Sequence, residues 1–159
     1  MTSPVRLACP RRPFLARCDQ GKGIFVLTRT SNPGAAHLQE VDCDGLPFYL
    51  RVTEMIARLG SGRVGAHGYS DVGAVAGATA PTSLAAVRAA LPHAFLLIPG
   101  FGAQGAGPEA LVGLARGEAL GYVVNASRSI IYAWRERGGD YRSAAAAAAA
   151  EMRDAIGSL

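Results

Sequence analysis

Two short stretches constrain this 159-residue chain more than anything else in it. The first reads Pro99-Gly100-Phe101-Gly102-Ala103-Gln104-Gly105, the second Asn125-Ala126-Ser127-Arg128-Ser129. Each follows a short apolar run, Phe95-Leu96-Leu97-Ile98 and Gly121-Tyr122-Val123-Val124, and each leads into a stretch of helical character. Strand, glycine-rich loop and helix, repeated, is the grammar of parallel α/β proteins, whose ligands sit at the carboxyl ends of the strands. A glycine-rich turn feeding helix amides presents N–H donors to an anion, and Arg128 presents a planar fork to phosphate oxygens. The same residues also suit plain βα turns with an arginine in solvent. Spacing alone leaves the two readings level.

The rest of the chain offers the same grammar. Gly23-Ile24-Phe25-Val26-Leu27-Thr28 is a continuous β-rich run of the kind buried on both faces of a sheet. Dense turn chemistry, Arg29-Thr30-Ser31-Asn32-Pro33-Gly34, ends it. Residues 35–46 show weak patterning and read as loop. Leu50, Val52, Met55, Ile56 and Leu59 mark one face of a helix over 48–59. Val72-Gly73-Ala74-Val75-Ala76 is a second strand, and a helix opens at Pro81 or Thr82, with Leu84, Val87 and Leu91 inward. A helix is expected over 109–114 and another from Ile130. Seven consecutive alanines in the tail give helix propensity and little packing volume, hence an outer helix. Residues 1–12 read as an irregular arm, closed by a short helix carrying Phe14, Leu15 and Cys18, and 13–159 as one domain.

Composition narrows the function classes. Half the residues are apolar and 18% are charged, as in an ordinary folded α/β domain. The net charge of +4 comes from fifteen arginines and one lysine, Lys22, against twelve acids. The basic residues are scattered and aromatics are 7%, so no stacking platform for nucleic acid is visible. Cys9, Cys18 and Cys43 show neither disulfide nor zinc spacing, and the three histidines are isolated. No apolar run approaches the ~18 residues of a membrane span, and no signal-like segment opens the chain. A cytoplasmic, reduced protein is expected, with no metal.

Four motifs in order are more specific than any of these features. They are Phe25-Val26-Leu27-Thr28-Arg29-Thr30-Ser31-Asn32-Pro33-Gly34-Ala35, Val72-Gly73-Ala74-Val75-Ala76-Gly77-Ala78-Thr79, the stretch 99–105, and the stretch 124–133. Together they resemble the carboxyl-terminal half of orotidine 5′-phosphate decarboxylase, in the longer bacterial branch of that family. The resemblance implies about four βα units, the second half of a TIM (β/α)8 barrel, with two open sheet edges at the Gly23 and Gly121 strands. It implies no metal or organic cofactor, and a nucleotide monophosphate, orotidine or uridine 5′-phosphate, as ligand. By resemblance, Gln104 and Arg128 hold the phosphate with backbone amides near Gly102 and Ser127. Ser31 meets the pyrimidine edge, and Pro99 and Phe101 sit in a closing loop.

One departure bears on activity. The family's chemistry rests on a lysine–aspartate array built on a D-x-K-x-x-D motif, and no such motif occurs here. Lys22 precedes the first strand, at the wrong end for a barrel site. The expectation is therefore a truncated family member, inactive alone and with no catalytic residue of its own. Its partner would be further copies or a missing amino-terminal half. The alternative expectation is a non-catalytic half-barrel that keeps a phosphate-binding corner, or a pseudogene product.

Overall fold

The computed structural model describes residues 12–102, 105–115 and 121–159. The expected irregular arm, apart from Arg12, and the phosphate candidate Gln104 lie outside the described residues. In chain order the elements are α1 (Arg12–Cys18), β1 (Ile24–Arg29), α2 (Ala36–Gln39), β2 (Asp42–Cys43), β3 (Leu46–Pro47) and α3 (Phe48–Gly60). There follow β4 (Ser70–Ala76), α4 (Pro81–Ala90), β5 (Ala94–Pro99), β6 (Tyr122–Asn125), α5 (Arg128–Ile131), α6 (Trp134–Arg137) and α7 (Tyr141–Gly157).

Four strands form one sheet in the order β1-β4-β5-β6, every neighbouring pair parallel. Period-2 alternation decides which side is covered. Val72, Ala74 and Ala76 of β4, and Leu96 and Ile98 of β5, are sealed against a core built with Ile56 of α3 and Leu84 and Val87 of α4. Helix α3 earns its place by spacing: Tyr49, Thr53, Ile56 and Gly60 are its buried residues, one stripe at helical intervals. Pro81 opens α4, where its missing N–H costs nothing. The buried Arg88 of α4 donates to the carbonyls of Gly121 and Ala94 at 3.3 and 2.8 Å, so a cation ties that helix to the next two strands. Four parallel strands with helices on one side form half of an eight-fold barrel, as the motifs implied.

The opposite side of the sheet departs from expectation. β1 is not buried on both faces: Phe25 is 46% and Leu27 is 55% exposed. Their side chains point away from the helices, onto the side that a complete barrel encloses. Gly73 is needed beneath them, since a Cβ there would lie 2.6 Å from the Phe95 carbonyl and 2.8 Å from the Phe25 ring.

Two expected helices are also altered. In place of a helix over 109–114 there is one 3-10 turn, Pro108–Leu111. Gly113 follows with φ +77°, a left-handed residue that ends helical winding. The helix expected after Arg128 is two four-residue pieces, α5 and α6. Residues 35–46, expected as loop, contain α2 and the small antiparallel hairpin β2–β3. The alanine run does form α7, capped by Asp140 accepting the Ser143 N–H at 2.9 Å, with Ala144 and Ala148 clustered on Ala133.

Candidate functional site

At the carboxyl ends of the strands, the loops after β1, β4, β5 and β6 meet. The β1 loop is held from both sides. Its Arg29 guanidinium, 9% exposed, reaches Glu40 at 2.8–2.9 Å, and Gln39 Oε1 accepts the Thr30 N–H at 2.8 Å. On the other flank the Gly77 N–H donates to the Arg29 carbonyl at 2.7 Å, and Thr79 Oγ1 donates to the Ser31 carbonyl at 3.1 Å. Gly77 has no room for a side chain: a Cβ would lie 2.7 Å from Ser31 N and 2.8 Å from Ser31 Cβ. Ser31 therefore sits on the β4 loop as on a seat, its position set by backbone contact.

The β4 loop is tied in turn to β5, with the Ala78 N–H donating to the Pro99 carbonyl at 2.9 Å. Phe101, just past β5, is buried, and it bridges to Ala106, whose carbonyl accepts the Gly102 N–H at 2.8 Å. A Cβ on Gly102 would lie 3.1 Å from Ser129 Oγ, so the β5 and β6 loops touch there.

Between those two loops is a concavity of about 150 Å³ lined by Pro99, Gly100, Phe101, Asn125, Ser127 and Arg128. That volume holds a few waters or one small anion, and is below the roughly 300 Å³ at which pockets take drug-sized ligands. Arg128 and Ser129 open α5, so their N–H groups have no intrahelical acceptor. Among the described residues the Arg128 guanidinium makes no hydrogen bond or ion pair, unlike those of Arg29, Arg63 and Arg137. A forked cation that none of the described residues engages can take an oxyanion.

The structure thus brings together Pro99, Phe101, Gly102, Ser127 and Arg128, and holds Ser31 on the neighbouring loop. Lys22 is at the far end: its N–H bonds the Arg17 carbonyl ahead of β1, and a six-residue strand spans roughly 17–20 Å. Sequence reasoning missed the bracing residues Arg29, Gln39, Glu40, Gly77 and Thr79. Only the Arg29-to-Asn32 turn chemistry hinted at them. Among the described residues no group of three or more His, Cys, Asp or Glu side chains could hold a metal ion. Nor is any described helix long and apolar enough to cross a membrane.

A parallel four-stranded sheet with helices on one side defines the class: the (β/α)8 barrels, here in half. The comparisons make this particular. The chain is 46% identical over 122 residues to an orotidine 5′-phosphate decarboxylase of Rhodopirellula baltica, covering 76% of this chain and 40% of that protein. It is 43% identical over 146 residues to that of Roseiflexus castenholzii, covering 91% and 50%. Among solved structures, the OMP decarboxylase of Leishmania donovani matches with TM-score 0.66 at 31% identity, over 92% of this chain and 52% of that one. No protein-family model matches. The chain is a homologue of the carboxyl-terminal half of orotidine 5′-phosphate decarboxylase, and spans about half the length of the curated relatives it matches.

Proposed function

We propose that this chain carries the phosphate-holding half of an orotidine 5′-phosphate decarboxylase and takes a nucleoside monophosphate by its phosphate at Arg128. The observation that carries the reading is the guanidinium of Arg128, without a partner among the described residues and set among the loops of the homologous half. Ser31 on its Gly77 seat would meet the pyrimidine, Gln104 and amides near Gly102 and Ser127 would join Arg128 on the phosphate, and Pro99 and Phe101 would belong to the closing loop.

Binding at the phosphate does not supply the chemistry. Loss of carbon dioxide leaves a carbanion at a carbon without an electron sink, so the barrier falls only if a cation and proton donor wait there. Electrostatic preorganisation at the reacting atoms is usually the largest catalytic term. Arg128 would act at the other end of a nucleotide, and Lys22 lies ahead of β1, at the far end of the sheet. In this reading grip on the remote phosphate serves the chemistry only when residues from the other barrel half are present. The partner for turnover is a polypeptide bearing the lysine–aspartate array, in a cytoplasmic setting.

Titration calorimetry with uridine 5′-phosphate and with uridine tests the binding claim. The phosphate should add most of the affinity. Arg128→Ala should cost roughly tenfold or more on the nucleotide, since a charge-assisted bond is worth ~1.5–3 kcal/mol. Uridine should respond little. Equal losses on both ligands would remove Arg128 from the phosphate role.

A further inference from the structure

The side of the sheet away from the helices carries a row of aliphatic residues in continuous register. Leu27 pairs with Val75, Val75 with Leu97, and Leu97 with Val123. The two ends of the row, Leu27 and Val123, are 55% and 45% exposed. No charge interrupts it. The nearest charges on the sheet are already matched: Asp71 is held by Arg63 at 2.8–2.9 Å, and Arg29 by Glu40. Among the described residues, β1 and β6 are the two ends of the sheet, each with one edge unpaired.

We infer that two copies of this chain close on each other as one eight-stranded barrel, β1 of each pairing in parallel with β6 of the other. The inference rests on the half-barrel fold and not on the ligand proposed above. All four strands run the same way. Rotation by half a turn about an axis along the strands therefore keeps their direction and places the copy's β1 beside β6, and its β6 beside β1. The interface is closed and twofold, the commonest oligomer symmetry, and no edge is left over. Eight is also the strand number at which side chains just fill the interior. Two copies supply two aliphatic rows to that interior and bury no unmatched charge. The same mouth then carries two Arg128 corners.

A polypeptide with the other four βα units would compete for the same edges, and the experiment separates the cases. Under reducing conditions, light scattering after size exclusion should give about twice the 16.4 kDa of one chain. Leu27→Asp should halve that mass, whereas Leu38→Asp, on exposed α2, should leave it unchanged. Hydrogen exchange on the wild-type chain needs no variant to fold. Outward amides of β1 and β6 should exchange roughly tenfold or more slowly in the dimer than in the diluted monomer. A monomer at all concentrations would overturn the inference. So would an open-ended series of larger species, or a dimer whose β1 and β6 edge amides exchange freely, as in face-to-face stacking.

Discussion

The two ends of the sheet use arginine in opposite ways. At the amino-terminal end Arg63 is spent: both oxygens of Asp71 and one of Asp19 lie 2.8–2.9 Å from its nitrogens. Those bonds push its pKa further above the ordinary guanidinium value and tie the end of α1 to the start of β4. At the carboxyl-terminal end Arg128 has no partner among the described residues, and the loops around it are fixed by backbone bonds and by Gly77. One arginine is committed to the fold, and the other is the one proposed above to take a ligand. That proposed division follows the polarity of barrels, stability at the bottom and chemistry at the mouth.

Truncating each of the two arginines in turn should expose that difference most strongly. Arg128→Ala should lower affinity for uridine 5′-phosphate by roughly tenfold or more while leaving the thermal midpoint in place. Arg63→Ala should lower the midpoint and leave affinity in place. If both variants change both quantities alike, the ends are not functionally distinct.

Gly77→Ala tests the seat beneath Ser31. A methyl group 2.7 Å from Ser31 N must displace the β1 loop, at a cost of about 1–3 kcal/mol for overpacking. Nucleotide affinity should fall by more than stability explains, with uridine affected as well, if Ser31 meets the base as proposed. Unchanged uridine affinity in a folded variant would detach Ser31 from the ligand.

Much of the fold was legible in the sequence, and the reasons differ by region. Strands β4 and β5 are short apolar runs bounded by glycine or proline, and those signals survive any context. The place of Arg128 just past a strand was legible because its loop follows such a run. The exposure of Phe25 and Leu27 was not, because a β-rich run looks the same whether or not a second half covers it. The β2–β3 hairpin was signalled by Asp44-Gly45, both at positive φ as a two-residue hairpin turn needs, though the surrounding pattern was weak. The 109–114 helix failed because Pro108 can start a turn but Gly113 stops it before enough hydrogen bonds repay nucleation.

The smallest expected effect is on the outer helix. Two bonds from Ser143 lower the pKa of Asp140, and the Arg137 guanidinium lowers that of Glu151. Carboxylates held below their unfolded values contribute stability above those values and lose it as pH falls through the folded ones. From about pH 4 downward α7 should loosen while the sheet persists. Hydrogen exchange of α7 and β4 amides across pH 3–6, corrected for intrinsic rates, reads this directly. Equal loosening of both would attribute acid sensitivity to the whole fold.

Turnover of orotidine 5′-phosphate by the isolated chain, free of host enzyme and followed as uridine 5′-phosphate formed, tests the central claim most directly. A chain that holds the phosphate and contributes no cation at the reacting carbon should give no product above background. Addition of a separately expressed amino-terminal half bearing D-x-K-x-x-D should restore some. Robust product from the 159-residue chain alone would contradict the account.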